Sequence, residues 1–322
     1  MKTTNRMLRK NSKIYVAGHK GLVGSAVLRL LKKKGFTKIF FKTSKQLDIR
    51  KQKSVFDYLL KIRPDAVIIC SGKVGGIKAN NKFRGEFIYD NLSIQNNIIH
   101  GSFKTKVKNL IFLGSSCIYP KYAKQPIKED YLLSGVLEKT NEPYAIAKIA
   151  GIKLCESYNS QYKTNYKCLM PSNLFGPNDN YNLENSHFLP AIIKKIYHAK
   201  LNNIKKLIFW GTGLSRRELT FVDDIAEACL FFLGKKTKHT LINIGSGYEN
   251  TIKGYINFIS KKMLNKSKII FDNNKAMDGT PRKLLDCSVA RSYGWKSKFK
   301  FSNALDITYA DFLKNKSKYL NT

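Results

Sequence analysis

The chain has 322 residues, of which 43% are hydrophobic and 25% are charged. These values are ordinary for a folded protein with a sizeable core, so they argue against disorder, and no apolar run is long enough to span a membrane. The net charge of +36 favours phosphorylated ligands, but the lysines are spread over the whole length, which argues against specific nucleic-acid binding.

The cysteines and the first residues indicate where the protein works. The six cysteines have no paired spacing, which argues against a disulfide framework or a zinc site, so we expect no metal. Residues 1–12 are basic and polar, without the apolar core of a signal peptide, and we interpret them as a flexible extension. The sequence therefore predicts a cytoplasmic protein with reduced thiols.

The organised chain begins with an apolar strand at residues 13–17, which runs directly into the glycine-spaced turn Gly18-His19-Lys20-Gly21-Leu22-Val23-Gly24. Apolar residues at helical spacing follow, and a glycine at position 35 is placed to end that helix. Glycines let the backbone approach a pyrophosphate, whose charge is stabilised by unpaired N–H groups at the helix N-terminus. The strand, the turn and the helix together predict a dinucleotide-binding site.

A second strand is predicted at residues 37–42, ending where the adenosine ribose of the cofactor would lie. Enzymes specific for NAD usually carry Asp or Glu at this point, whereas residues 42–46 contain Lys42 and Lys45 and no carboxylate. Two cations favour a 2′-phosphate, and therefore NADP(H); the alternative is a solvated turn on a basic surface. Asp48 follows and is placed to reach the adenine side.

The next segments alternate between helix and strand. A helix at residues 51–62 precedes an apolar strand at residues 66–71, and the loop at residues 72–77 is expected to line the cofactor. A long helical region then leads to a strand at residues 109–113. This alternation predicts an α/β fold with a Rossmann-type, doubly wound parallel sheet.

Tyr144 and Lys148 lie four residues apart on a predicted helix, so both polar tips face one side. An ammonium beside a phenol stabilises the phenolate and lowers a pKa that starts near ~10, so we expect Tyr144 to exchange a proton with a substrate oxygen. Ser115 follows the strand at residues 109–113 and is placed to share that oxygen. A tyrosine and a lysine at this spacing also occur on ordinary surface helices, which is the alternative interpretation.

Residues 171–181 form a turn-rich polar loop that marks the start of a substrate-binding half. In that half, Arg217 and Arg282 are candidates for binding a nucleotide diphosphate, and Trp210 for stacking on a base or sugar. Each of these residue types is more often structural, which is the competing interpretation.

The domain prediction follows from this change of character. We expect an NADP-binding Rossmann domain at residues 1–177, to which the chain returns around residues 219–245. We expect a smaller C-terminal α/β domain at residues 178–322 to bind the substrate.

Five long motifs resemble those of one enzyme family. They are AGHKGLVGS at residues 17–25, KVGGI at 73–77, GSSCIYPK at 114–121, NEPYAIAKIAGIKLCESYN at 141–159, and DGTPRKLLD at 278–286. From Lys13 to about Leu313 the chain resembles the extended short-chain dehydrogenase/reductases, in the branch that modifies nucleotide sugars.

The resemblance implies a homodimeric enzyme that acts on GDP-4-dehydro-6-deoxy-D-mannose. Such an enzyme inverts C3 and C5 of the sugar and then reduces the C4 ketone with NADPH. The resemblance also implies that the reductase triad is Ser115, Tyr144 and Lys148, and that the epimerisation pair is Cys117 and His187.

The same resemblance implies the contacts of both ligands. Those with NADP(H) are Gly18, His19, Lys20, Gly21, Leu22, Val23, Gly24, Ser44, Lys45, Asp48, Leu113, Gly114, Ser115, Ser116, Lys148, Pro171, Ser172, Asn173, Leu174 and His187. Those with the GDP-sugar are Lys195, Trp210, Arg217 and Asp278. Two positions depart from the family: Ser44 stands where an arginine is usual, so recognition of the 2′-phosphate shifts to Lys45 or Lys42, and Lys195 replaces an arginine and loses a bidentate contact.

The chemistry of a 4-keto sugar agrees with these roles. C3 and C5 both neighbour the ketone, so removing either proton places charge on the C4 oxygen, where Ser115 and Tyr144 can stabilise it. Inversion requires a base on one face and an acid on the other, and we expect protonated His187 or the cofactor site to favour the Cys117 thiolate. The alternatives are an NAD-dependent nucleotide-sugar dehydratase or 4-epimerase, and a non-catalytic basic dinucleotide-fold protein.

Overall fold

The computed structural model describes residues 8–183, 186–274 and 279–320. The described strands are β1 (Ile14–Ala17), β2 (Ile39–Phe40), β3 (Ala66–Ile69), β4 (Asn109–Leu113), β5 (Asn165–Pro171), β6 (Asn173–Phe175), β7 (Lys206–Phe209), β8 (Arg216–Phe221), β9 (Leu241–Ile244), β10 (Glu249–Thr251), β11 (Lys268–Phe271) and β12 (Arg282–Lys283). The described helices are α1 (Leu22–Lys33), α2 (Gln52–Ile62), α3 (Ile77–Lys82), α4 (Arg84–Lys104), α5 (Glu142–Tyr162), α6 (Phe188–Leu201), α7 (Val222–Phe232), α8 (Ile252–Lys262), α9 (Ser288–Ser292), α10 (Phe301–Lys314) and α11 (Lys316–Leu320).

A six-stranded parallel sheet forms the centre of the molecule, with the strand order β2-β1-β3-β4-β5-β9. Every residue of β1 and β3 is buried, as expected for strands covered on both faces. Helix α1 packs against α7, and α4 packs against both α2 and α5, which gives two helical layers. The predicted Rossmann-type, doubly wound fold is therefore confirmed.

The order of the strands reverses between β1 and β3, and ligands of such sheets bind beyond the carboxyl ends of the strands at this point. Two strands are shorter than predicted. β2 covers only two residues, because the chain turns after the exposed Phe41, and β3 ends at Ile69 rather than at residue 71. Both shortened strands leave loops at the edge where the cofactor is expected.

A smaller lobe is built on β6, β8, β10 and β12, with β7 and β11 forming a separate parallel pair. Its sheet begins at Asn173, before the predicted boundary at residue 178, because β6 pairs with β8. From β8 the chain enters α7, and β9 then joins the large sheet. One contiguous hydrophobic cluster includes residues of both lobes. None of the described helices is long and apolar enough to cross a membrane.

Candidate active site

The turn between β1 and α1 has room for glycine alone at two positions. Gly18 has φ of +85°, and a Cβ there would lie 2.7 Å from the Ser71 backbone nitrogen. A Cβ on Gly24 would lie 2.1 Å from the Gly18 carbonyl oxygen. Gly21 is the N-cap of α1 and has no side chain to satisfy the first N–H groups of that helix. These residues therefore fit the pyrophosphate of a dinucleotide.

The segment after β2 carries exposed lysines and one carboxylate, that of Asp48, which is bonded to an arginine. The side chains of Lys42, Ser44 and Lys45 are exposed. Asp48 accepts hydrogen bonds from the Arg50 side chain at 3.0 and 3.1 Å, and this bonding lowers the pKa of the carboxyl group. Arg50, which the sequence interpretation overlooked, also bonds to Asp90 at 3.3 Å, so its charge is balanced by two carboxylates and Lys42 and Lys45 remain the exposed cations of this segment.

Three predicted catalytic side chains lie together beyond the end of β4. The Ser115 hydroxyl accepts a hydrogen bond from the Cys117 backbone N–H at 3.3 Å, and it lies near enough to the Tyr144 phenol to act on the pKa of that group. Tyr144 is only 7% exposed, and its ring packs edge-to-face on Phe87 at 6.3 Å. A buried phenol and a half-buried hydroxyl beside a thiol can stabilise a substrate oxygen while a neighbouring carbon exchanges a proton.

The pKa of Tyr144 differs from the prediction. Burial raises the pKa of this phenol, whereas we expected Lys148 to lower it. The Lys148 ammonium instead donates a hydrogen bond to the Leu113 carbonyl at 3.0 Å and lies 4.7 Å from the Phe112 ring centroid. Burial lowers the pKa of Lys148 to about 8. The site therefore holds a neutral phenol, and the lysine acts on the backbone next to it.

The Cys117 sulfur is approached by two nitrogen donors. The Asn141 side-chain amide lies 3.4 Å from the sulfur, and the Lys283 ammonium lies 3.9 Å from it. Sequence reasoning assigned no role to either residue. Both belong to motifs quoted above, but the contact of Lys283 spans 166 positions, and only the fold reveals it.

His187 is the N-cap of α6, on a different element from Cys117. Its side chain is exposed to solvent, yet enough protein surrounds the ring for desolvation to lower its pKa below the ordinary 6.5. Desolvation therefore favours the neutral imidazole. This finding is contrary to our expectation of a protonated His187 beside Cys117, and it leaves Lys283 as a cation in contact with the sulfur.

The predicted substrate contacts lie in the smaller lobe. The Lys195 ammonium donates to the Ile208 carbonyl and lies 4.7 Å from the Phe209 ring centroid, and desolvation lowers the pKa of this lysine. Trp210 is 61% exposed and lies just after β7. Arg217 lies on β8. Asp278 lies outside the described residues.

Arg282 has a different role from the one predicted. Its guanidinium bonds to the Glu249 carboxylate at 2.7 Å, and Arg216 bonds to the same carboxylate at 3.1 Å. This arrangement joins β12, β8 and β10 through side chains. Arg282 is thus committed to holding the small sheet together rather than to a diphosphate.

The remaining predicted cofactor contacts follow β4 and β5. Ser116 is buried in a short 3₁₀ turn after Gly114. The Ser172 hydroxyl bonds to the Thr220 hydroxyl at 2.6 Å, and the Asn173 amide donates to the Glu218 carbonyl at 3.1 Å. These bonds fix the loop where the large sheet passes into the small one. Pro171 ends β5, and Leu174 is the central residue of β6.

Comparison with known proteins gives consistent matches over nearly the full chain. Residues 14–245 match the NAD dependent epimerase/dehydratase family. The chain is 47% identical to GDP-L-fucose synthase 1 from Arabidopsis thaliana over 306 residues, which cover 95% of this chain and 94% of the relative. It is 43% identical to GDP-L-fucose synthase from Escherichia coli over 316 residues, covering 95% and 98%. A solved GDP-mannoheptose C4 reductase from Campylobacter jejuni with NADP bound is 36% identical, with a TM-score of 0.86 and coverage of 95% and 99%.

Proposed function

The chain belongs to the NAD-dependent epimerase/dehydratase family, and on that premise we propose that it converts GDP-4-dehydro-6-deoxy-D-mannose to GDP-L-fucose. The reaction inverts C3 and C5 and then reduces the C4 ketone with NADPH. The observation that carries this proposal is the meeting of Ser115, Tyr144 and Cys117 at one point of the cleft. A reductase needs the two hydroxyl groups, whereas inversion at a neighbouring carbon gives the thiol a role.

Bound NADPH supplies the hydride that reaches C4. Tyr144 donates a hydrogen bond and then a proton to the C4 oxygen, and the Ser115 hydroxyl shares the charge on that oxygen. Because burial keeps Tyr144 protonated, the phenol is in the form that a reduction requires. Lys148 donates a hydrogen bond to the Leu113 carbonyl at the end of β4 and places a positive charge next to the site.

Epimerisation uses the same oxygen and two further side chains. We assign Cys117 as the base that removes the C3 and C5 protons, with the electron pair of each C–H bond moving to the C4 oxygen. His187 gives a proton to the opposite face of the carbon. Desolvation makes its imidazolium a stronger acid, and the negative charge of a bound GDP-sugar increases the protonated fraction.

The ligands divide between the two lobes in this proposal. NADP(H) binds to the glycine turn, to Ser44, Lys45 and Asp48, and to the ends of β4 and β5. The GDP-sugar binds to Lys195, Trp210, Arg217 and Asp278 in the other lobe. We propose two domains, residues 1–177 with a return around 219–245 and residues 178–322, with β6 contributing to the sheet of the second.

We further propose a cytoplasmic homodimer. The family resemblance implies an interface that includes α5, and exposed apolar side chains on α4 and α5 support that interface. They are Tyr89 on α4, and Ile146 and Tyr162 on α5, which are 69%, 44% and 44% exposed. Light scattering of the purified protein tests this proposal, because a monomer at micromolar concentration would contradict it.

Product analysis tests the reaction. The protein is incubated with GDP-4-dehydro-6-deoxy-D-mannose and NADPH, and the released sugar is identified by NMR. GDP-L-fucose is expected. A reduced sugar of the starting configuration would instead indicate a C4 reductase, like the GDP-mannoheptose C4 reductase to which the chain is similar.

Heavy water separates the two half-reactions. Without NADPH, the native protein should exchange the C3 and C5 protons for deuterium, and Cys117→Ser should not. With NADPH, the same variant should reduce the unepimerised ketone slowly, because neither Cys117 nor His187 is needed for reduction at C4. His187→Ala should permit some exchange but little inversion. Full exchange in Cys117→Ser would return this cysteine to a structural role.

A further inference from the structure

Lys283 brings a positive charge to Cys117 from the smaller lobe. Its ammonium lies 3.9 Å from the Cys117 sulfur, and the Asn141 amide approaches the same sulfur to 3.4 Å. Two donors facing one sulfur, of which one is charged, form an environment that suits an anion better than a neutral thiol.

The backbone around Lys283 is fixed. β12 pairs with β8, and this pairing sets Lys283 beside Arg217. The next N–H groups along the chain are also bonded, that of Leu284 to the Gln125 side chain at 2.9 Å and that of Leu285 to the buried Glu218 carboxylate at 3.0 Å. Lys283 therefore contacts Cys117 from a strand whose backbone is fixed by hydrogen bonds, and not from an unpaired surface loop.

The other charges near this contact leave the lysine available to the sulfur. Tyr144 faces Cys117 as a neutral phenol. Glu138 lies near Lys283, but its carboxylate pairs with Lys121 at 2.8 Å. Within residues 8–183, 186–274 and 279–320, no carboxylate forms an ion pair with Lys283.

We infer that Lys283 holds Cys117 as the thiolate that starts epimerisation. This inference rests on the proposed function. The thiolate takes the proton from C3 or C5 and becomes a thiol, the electron pair of the broken bond moves to the C4 oxygen, and the thiol then loses its proton to solvent. Lys283 acts through Cys117 and is a positioning residue, and it couples the base to the lobe that binds the GDP-sugar.

Alkylation of Cys117 by iodoacetamide as a function of pH tests this inference without substrate. The extent of modification is read by mass spectrometry of the peptide that contains Cys117, which separates it from the other cysteines. Lys283→Met should slow alkylation at pH 7 by roughly tenfold and move its midpoint upward by about one pH unit, because the thiolate loses its cation. Lys283→Arg keeps the charge and should restore the native profile.

Lys124→Met is the matched control. Lys124 is an exposed lysine three residues after Lys121, and its removal leaves in place the ion pair of Lys121 with Glu138 that keeps this carboxylate from Lys283. The profile of this variant should equal the native one. A native profile that is half-maximal at or above about pH 8.5, the ordinary range of a free thiol, would overturn the inference even if no variant folds.

The two proposals fail in different experiments. Superimposed profiles for the native protein and Lys283→Met would overturn the role of Lys283 and leave the proposed reaction standing. Absence of GDP-L-fucose from the native reaction would overturn the proposed function, whatever the profiles show. In heavy water, Lys283→Met should exchange the C3 and C5 protons about tenfold more slowly at pH 7 and recover as the pH rises, whereas a purely structural loss would persist at every pH.

Discussion

The large and the small sheet position their functional residues in different ways. In the large sheet, functional residues lie on the segments that directly follow a strand or on the helix that connects two strands, as Ser115 follows β4, the glycine turn follows β1 and Tyr144 lies on α5. In the small sheet, Lys283 and Arg282 act on partners from remote parts of the chain, Cys117 and Glu249. Substitutions in the turns of the large sheet should therefore have large effects on folding and cofactor binding. Substitutions in the small sheet should weaken individual side-chain contacts and have smaller effects.

Gly24→Ala should have the largest effect. A Cβ at this position would lie 2.1 Å from the Gly18 carbonyl oxygen, which is backbone and cannot move without opening the turn. We expect the free energy of unfolding to fall by about 3 kcal/mol and NADPH binding to be lost. Denaturant titration without cofactor measures the first effect.

Gly21→Ala is the control for that change. A Cβ there would meet its nearest heavy atom at 3.5 Å, an ordinary contact, so the expected loss is about 1 kcal/mol or less. Equal losses in the two variants would show that the turn is not locally constrained as described.

Tyr144→Phe should leave the fold intact, because the ring keeps its packing on Phe87. Reduction of the ketone should fall by at least ~10²-fold, since the proton donor to the C4 oxygen is gone. Stopped-flow oxidation of NADPH measures this change. Tyr162→Phe, at the exposed end of the same helix, should keep the native rate. Near-normal turnover of Tyr144→Phe would make the tyrosine structural only.

Glu249→Gln weakens the ion pairs of residue 249 with Arg216 and Arg282 and so tests whether these pairs hold the small sheet in place for substrate binding. We expect the KM for the GDP-sugar to rise roughly tenfold, because charge-assisted bonds become neutral ones, while the rate at saturation changes little. Glu227→Gln removes a similar ion pair, with Lys298 at 2.7 Å, outside the candidate site and should leave KM unchanged. A fall in the rate at saturation with no change in KM would show that the ion pairs of Glu249 do not support binding of the GDP-sugar.

The smallest effect is expected from Lys42→Ala combined with Lys45→Ala. Both side chains are exposed, so each contact with a 2′-phosphate is screened by salt, and the preference for NADPH over NADH should shrink only several-fold. Comparing kcat/KM for the two cofactors measures it. Lys32→Ala with Lys33→Ala, at the end of α1, removes the same charge and should leave the preference unchanged. Equal use of NADH by the native protein would refute the 2′-phosphate assignment.

The sequence predicts the large sheet well because its signals are local. β1, β3 and β4 are continuous apolar runs, and the glycine turn is read from adjacent residues. The nearness of Ser115 to Tyr144 follows from the same logic, since α5 connects the parallel strands β4 and β5 and its first turn, which carries Tyr144, lies at the edge where β4 ends. The direction of the Tyr144 pKa shift could not be predicted in this way. It depends on burial by residues such as Phe87, and no sequence spacing indicates that Phe87 contacts Tyr144.

The small lobe escapes sequence interpretation for a similar reason. In the sequence, Arg282 and Lys283 have no neighbouring partner and resemble surface charges. In the structure, Glu249 lies beside Arg282, and the pairing of β12 with β8 fixes the position of Lys283. Pairings of this kind depend on the order of strands within a sheet. Local propensity carries no information about that order.

The burial of Lys148 also has a consequence for stability. The pKa of this lysine is about 8 in the fold against an ordinary 10.5, so the unfolded chain binds the proton more tightly. The charge therefore destabilises the fold below pH 8 by about 3 kcal/mol, and this penalty disappears as the pH rises to 10.5. Thermal unfolding of Lys148→Met, measured without added cofactor or substrate, should show a raised midpoint at pH 7 and no gain at pH 10.5, whereas the exposed Lys153→Met should show none at either. A side chain that the proposed chemistry uses thus makes the protein less stable than the same fold would be without its charge.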